Sequence, residues 1–219
     1  MAGQTRSLRS RLQGRQAIET RQKSPRRLRI VGGVWRGRRL QFPAGAAIRP
    51  TPDRVRETLF NWLAPRLPGA VCLDLFAGSG VVGLEALSRG AAAVAFVDKE
   101  AVAARAIQDR LTEWGATDPA RGVGGRGTVV RAEALAWLDS IVPDGVSAPF
   151  DIVFLDPPFA AGLLGAACQR LEGRRLLRSE ARIYLEAPAH EPLPALPADW
   201  EALRSGTAGE VGYHLFRRG

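Results

Sequence analysis

Short apolar runs alternate with amphipathic stretches from Val71 onward, and that alternation limits the chain to a sheet covered on both faces by helices. The runs at 71–76, 94–98, 128–131, 150–155 and 182–187 read as strands too apolar to carry a wet face. Between them, 81–89, 100–114, 134–140 and 161–172 read as helices, so the strands should pair in parallel. Gly122–Gly127 reads as a flexible loop and the Pro-rich 188–198 stretch as a linker. Trp200–Arg204 and Val211–Arg217, joined through Gly206 and Gly209, read as a closing antiparallel hairpin. At 219 residues the chain suits one domain with appendages.

A second hairpin is expected ahead of this sheet. Leu28–Trp35 and Arg38–Phe42 flank a turn at Arg36-Gly37. Its exposed face would carry Arg29, Trp35, Arg36, Arg38 and Arg39, and guanidinium groups interleaved with an aromatic suit RNA phosphates and bases. A charge-protected edge strand fits the same pattern. Thr51 then reads as an N-cap and Pro52 as the first residue of a helix that ends at Pro65. Val55, Leu59, Trp62 and Leu63 recur at helical spacing and should face the core. Arg49 and Arg54, near the helix start, join the candidate RNA contacts.

Charge is concentrated at one end. The formal net charge is +9, and residues 1–29 hold nine basic side chains against Glu19 alone. Residues 1–27 thus form a basic arm, expected to be disordered when free and suited to phosphate backbones. A merely solvated tail and an acid-poor mitochondrial transit peptide share that composition. Residues 28–65 read as a hairpin-and-helix extension, and 66–219 as the catalytic core. Cys72 and Cys168 lie far apart in apolar segments, which points to core thiols in a reducing compartment, the cytoplasm. His190 and His214 are the only histidines, too few for a histidine-built metal site or triad, and no metal is expected. No apolar run is long enough to span a bilayer, so no membrane association is expected.

The first strand runs into Asp74-Leu75-Phe76-Ala77-Gly78-Ser79-Gly80-Val81-Val82-Gly83, a Gly-x-Gly-x-x-Gly between strand and helix. Gly78 and Gly80 permit a tight turn and close approach to a ligand, and Gly83 permits close helix–strand packing. Asp98, at the end of the next strand, can accept both hydroxyls of a ribose. Asp74 precedes the glycines, where a carboxylate can hold a ligand ammonium. A dinucleotide needs no such partner, but the amino acid half of S-adenosylmethionine does. Glu133-Ala134, after the third strand, can contact the adenine edge.

Asp156-Pro157-Pro158-Phe159 closes the strand 150–155. Two prolines fix φ and remove donors, so the turn offers acceptors beside an aromatic ring. That suits a planar base with an exocyclic amine, although Pro-Pro also simply stops a strand.

These segments, taken with Arg29-Ile30-Val31-Gly32-Gly33-x-Trp35-Arg36-Gly37-Arg38 and Arg49-Pro50-Thr51-x-Asp53-Arg54-Val55-Arg56-Glu57-Thr58-Leu59-Phe60-Asn61-Trp62-Leu63, resemble the bacterial RsmD family of 16S ribosomal RNA guanine-N2 methyltransferases. The resemblance spans roughly residues 28–218, and the Arg-Pro-Thr segment separates this family from other amino methyltransferases. It implies a class I, Rossmann-like S-adenosylmethionine-dependent methyltransferase fold, with a seven-stranded, mostly parallel sheet and an N-terminal β-hairpin extension. It implies S-adenosylmethionine as methyl donor, a guanine N2 of 16S rRNA as acceptor, naked or in a partly assembled small subunit, and a monomer. Asp74, Gly78 and Gly80 would surround the methionine part, with Phe76 in the same cofactor set, and Asp98 would hold the ribose. Glu133 departs from the Asp or Asn usual at the adenine position, and the arginine arm is an addition to the family pattern. Asp156 and the Pro157 carbonyl would accept the two amine N–H groups while Phe159 stacks on the base.

Three other readings remain. The ledge alone does not distinguish guanine from adenine N6 or cytosine N4 of DNA, or from a protein glutamine. A nucleotide-dependent oxidoreductase shares the glycine pattern and the later acid, but leaves Asp74 and the ledge without a role. A non-catalytic RNA-binding assembly factor would use the basic segments and need neither site.

Overall fold

The computed structural model describes residues 27–41, 51–117, 125–141 and 150–219. The N-terminal arm, Arg49 and the first part of the expected 122–127 loop lie outside them. Two short strands, β1 (Arg27–Arg29) and β2 (Arg39–Gln41), pair antiparallel with Leu28 opposite Leu40. Helix α1 (Asp53–Leu63) follows. The alternating core then runs β3 (Val71–Asp74), α2 (Val81–Ser88), β4 (Ala93–Asp98), α3 (Ala101–Glu113), β5 (Arg126–Arg131), α4 (Ala134–Ser140), β6 (Phe150–Leu155), α5 (Leu163–Gly173) and β7 (Leu177–Pro188). β8 (Trp200–Ala208) and β9 (Val211–Arg218) close the chain as a hairpin.

The seven-stranded sheet has the order β5-β4-β3-β6-β7-β9-β8. β3 to β7 pair in parallel, and β9 runs antiparallel to both β7 and β8. Strands this apolar need cover on both sides. Cys72, Phe96, Ile152, Phe154 and Tyr184 pack with residues of α1, α2 and α3. Leu73, Leu75, Val153, Leu155 and Leu185 pack with residues of α4 and α5. The chain moves outward from β3 through β4 to β5, then crosses back to β6 on the other side of β3. The switch point therefore lies between β3 and β6, where open α/β sheets bind ligands beyond the carboxyl ends of their strands.

Several expected details change. The Arg36-Gly37 turn forms, with Arg38 N–H donating to Trp35 O at 3.0 Å, but the strands around it are only three residues long. The intervening chain instead docks on the end of α2: Val34 N–H donates to Ser88 O at 2.8 Å and Trp35 N–H to Ser88 Oγ at 2.9 Å. Trp35, expected on the exposed face, is 3 % exposed and packs on Trp114 with ring centroids 5.1 Å apart. Helix α1 begins one residue later than expected, with Pro52 as N-cap and no side-chain cap. Thr51 is buried and its hydroxyl donates elsewhere. β7 starts five residues earlier than its apolar run, because Arg178–Ala181 form an irregularity in the pairing with β6. Gly127 belongs to β5, not to a loop; a Cβ there would stand 2.3 Å from Leu111 Cδ2. The 188–198 stretch packs through Leu193 and Leu196 against the core rather than spanning free as a linker.

Candidate active site

Loop geometry after β3 is dictated by its glycines. Gly78 and Gly80 hold φ of +50° and +68°, a region that penalises any side chain. A Cβ on Gly80 would also meet Ile107 Cγ1 at 2.6 Å. Gly83 needs its hydrogen for packing, since a Cβ there would stand 2.3 Å from the Phe96 ring. The loop is pinned at both ends by carboxylates: Gly78 N–H donates to Asp98 Oδ2 at 2.7 Å, and Gly83 N–H donates to Asp74 Oδ2 at 3.0 Å. Asp98 Oδ1 accepts from Glu100 N–H at 2.8 Å, so this carboxylate fixes the starts of two loops at once.

Asp74 is the most perturbed acid of the site. It is buried, and burial pushes its carboxyl up to about 7 despite the Gly83 N–H; the neighbouring Asp98 charge adds to the rise. A buried acid held close to neutrality gains most from a cationic partner, which would restore its charge. Phe76 is half-buried beside this loop.

Asp156, Pro157 and Phe159 lie just past the end of β6, which pairs directly with β3. Asp156 is half-exposed, Pro157 buried and Phe159 half-buried in a single 3-10 turn, Phe159–Ala161. Pro158 O accepts from Ala161 N–H at 2.9 Å, which closes that turn. Just before this segment, Phe154 meets Phe60 in a tilted contact at 6.2 Å and Tyr184 edge-on at 6.4 Å between ring centroids. The glycine loop and the Asp156–Phe159 segment thus both follow the carboxyl ends of the adjacent strands β3 and β6 at the switch point.

The remaining expected residues divide. Ala134 is buried at the start of α4, and Glu133 is its N-cap. The Glu133 side chain is 64 % exposed and lies 3.7 Å from Lys99 Nζ. Arg36 and Arg38 are exposed, the latter stacked 5.4 Å over Trp114. Arg54 is exposed, and Arg29 is held by Asp53 at 2.8 Å. Trp35 drops out of the RNA set, because a ring buried against Trp114 cannot stack on a base. Among the described residues no cluster of His, Cys, Asp and Glu could hold a metal, and no helix is long and apolar enough to cross a membrane. Both cysteines are buried free thiols, pushed up by burial.

Two buried networks escaped the sequence reading. Arg56, fully buried on α1, donates to Glu85 Oε2 and Asp53 Oδ1, each at 2.5 Å, and Glu85 also accepts from Arg89 at 2.7 Å. This ties the extension to the helix that carries the glycine loop. Thr51 Oγ1 and Tyr184 Oη donate to Glu186 Oε1 at 3.1 and 2.8 Å, tying the start of α1 to the carboxyl end of β7.

A family model described as "Conserved hypothetical protein 95" matches residues 28–217. Ribosomal RNA small subunit methyltransferase D of Escherichia coli K12 is 45 % identical over 191 residues, covering 87 % of this chain and 90 % of that protein. The chain belongs to this family. The Haemophilus influenzae member is 38 % identical over 190 residues, covering 87 % of this chain and 93 % of its own. The solved structure of yhhF from Escherichia coli superposes with a TM-score of 0.75 at 41 % identity, over 88 % of this chain and 98 % of that one. The RsmD-family chain accordingly has the class I methyltransferase fold, with the small antiparallel hairpin ahead of the central sheet.

Proposed function

We propose that this protein methylates the exocyclic N2 of a guanine in 16S rRNA, with S-adenosylmethionine as donor. Its family membership makes it an rRNA methyltransferase of the small subunit; the base, the atom and the residue roles are our reading. One observation carries that reading: a loop suited to an aminoacyl-nucleoside and a ledge suited to an aromatic amine meet at the same switch point.

S-adenosylmethionine, when bound, supplies an electrophilic methyl group on a sulfonium sulfur. Asp74 holds the ammonium of its methionine part, and the Gly78–Gly80 turn with Phe76 admits the chain of that part closely. Asp98 accepts the ribose hydroxyls while it keeps the Gly78 N–H. Ala134 borders the adenine, with the exposed Glu133 beside it. Asp156 and the Pro157 carbonyl accept the two N–H bonds of the guanine amine. That amine is a poor nucleophile because its lone pair is delocalised into the ring. Two acceptors favour a pyramidal nitrogen and stabilise the positive charge that develops as the methyl arrives. Phe159 stacks on the base, and its 3-10 turn limits the ring's freedom. Orientation supplies much of the rate gain, since the nucleophile and methyl must lie in line. Asp156 need not remove a proton first, because the nitrogen becomes far more acidic after attack.

Arg36, Arg38 and Arg54 are exposed, and we assign them to RNA phosphates. The test is mass spectrometry of small-subunit rRNA from cells with and without the protein. Loss of one N2-methylguanosine is expected; loss of a methylated adenine or cytosine instead would overturn the assignment of the base.

A further inference from the structure

The ledge explains why an amine is accepted but not why it should be guanine's. The neighbouring strand offers an answer. β6 and β7 pair in parallel with Phe154 opposite Tyr184 and Leu155 opposite Leu185. The next residues of the two chains are Asp156 and Glu186. Side chains alternate between sheet faces along a strand. Phe154 and Tyr184 point into the cluster beneath α1, while Leu155 and Leu185 point into the opposite one. β6 ends at Leu155, and carrying its alternation one residue further would put Asp156 beside Glu186 on the α1 face, about one strand spacing (~5 Å) away. The Tyr184 phenol lies within reach of both: burial first, and then the charges of Glu186 and Asp156, push its ionisation up.

Glu186 is not placed as an ordinary surface acid. It is buried, retaining 4 % of its surface, which suits one directed hydrogen bond rather than hydration. Two hydroxyls, Thr51 Oγ1 and Tyr184 Oη, both donate to Oε1 and so fix the plane of the carboxylate. One anchor comes from the extension, 135 residues away in sequence. An ionised carboxylate is purely an acceptor.

We propose that Glu186 is a specificity-determining residue that accepts the N1–H of the target guanine beside Asp156, which accepts from the N2 amine. This rests on the guanine-N2 reading above and supplies what that reading lacks. Guanine presents N1–H and N2–H as adjacent donors on its Watson–Crick edge, matched by two adjacent carboxylates. Adenine and cytosine carry a ring-nitrogen lone pair next to their amines, and that lone pair would face Glu186 repulsively.

The test uses the full-length protein and small-subunit rRNA that carries, at the position the wild type methylates, either guanine or 2-aminopurine. The analogue keeps the 2-amine but has a lone pair at N1. The readout is the ratio of kcat/KM for guanine to that for the analogue. The wild type should favour guanine by about a hundredfold or more, as sites built around a substrate donor do. In Glu186→Gln the two hydroxyls retain the amide oxygen and the NH2 turns to the base, so the ratio should fall by about tenfold or more. If both rates fall together and the ratio stays put, Glu186 is structural and the proposal is overturned. Should that variant fail to fold, Tyr184→Phe removes one anchor and should shrink the ratio about threefold; an unmoved ratio there overturns the proposal equally. A wild type that methylates adenine or cytosine and no guanine sinks the underlying reading. Guanine methylation with an unmoved ratio sinks only the role of Glu186.

Discussion

Replacing Asp74 with Asn should make the ligand-free protein more stable and the cofactor site worse, and the size of both effects depends on pH. Burial raises the Asp74 carboxyl from 3.8 to about 7. A shift of that size corresponds to about 4 kcal/mol, at 1.36 kcal/mol per pH unit. The sign follows from where protons sit. Between pH 4 and 7 the unfolded chain has already lost this proton while the native state keeps it. The contribution of Asp74 to stability is therefore fully present below pH 4 and lost as pH rises to 7. Above pH 7 the native state carries a buried charge, which Asn lacks while still accepting from Gly83 N–H. Urea unfolding of both proteins should show Asn ahead by about 1–2 kcal/mol at pH 5 and about 4 kcal/mol at pH 8. A stability difference that does not change with pH would refute the argument. The same titration appears in binding. Below pH 7 an ammonium must displace the Asp74 proton, so S-adenosylmethionine affinity should rise by up to about tenfold per pH unit and level off above 7. Calorimetry in two buffers of different ionisation enthalpy should detect close to one proton released at pH 6.

The other expectations are more local. Asp156→Ala should keep cofactor affinity within about twofold and lower the single-turnover rate by about 10²–10³-fold, as loss of a charge-stabilising contact does; an unchanged rate removes the ledge from the mechanism. Asp98→Ala should weaken S-adenosylmethionine binding by about tenfold or more in calorimetry, through the lost ribose acceptor and the freed Gly78 N–H; unaltered affinity refutes the ribose assignment. Arg56→Met should cost about 3–5 kcal/mol in denaturant unfolding by leaving Glu85 short of its partner, while Arg56→Met combined with Glu85→Leu should recover most of it. Deleting residues 1–27 should flatten the dependence of RNA affinity on salt concentration; an identical slope would mean that the arm takes no part.

The sheet was legible because parallel strands buried on both faces leave uninterrupted apolar runs, and glycines and prolines mark where each run ends. The candidate site could be picked out for a related reason: Asp74, Asp98 and Asp156 are acids at the ends of apolar runs, where a charge without a function is costly. Contacts made only in three dimensions could not be read. Arg56 sits within an arginine- and glutamate-rich helix start and looks solvated, but its partner Glu85 lies on another helix. Trp35 lies among arginines, so only its docking onto the end of α2 shows that it is core. Thr51 has the residue type and position of an N-cap, but a donor to buried Glu186 outcompetes that role. The first part of β7 is charged and irregular, with Glu180 at φ +64°, and so lacks the strand pattern.

The distribution of charge suits two steps with opposite needs. RNA must be attracted at long range, which calls for exposed positive groups, and Arg36, Arg38 and Arg54 occupy the surface. The proposed chemistry moves positive charge from a sulfonium donor to the attacking nitrogen, and calls for fixed negative groups in a dry place. The buried or half-buried carboxylates of Asp74, Asp98, Asp156 and Glu186 stand at the ends of β3, β4, β6 and β7. Burial, and after it repulsion from Asp98, raises the Asp74 carboxyl. A cationic cofactor would relieve that repulsion on binding, and an anionic dinucleotide would not. Transfer of the methyl leaves a neutral thioether but keeps the ammonium assigned to Asp74. S-adenosylmethionine and its demethylated product should therefore gain affinity together, by the same factor, between pH 6 and pH 8. A rise confined to S-adenosylmethionine would show that Asp74 faces the sulfonium and not the ammonium.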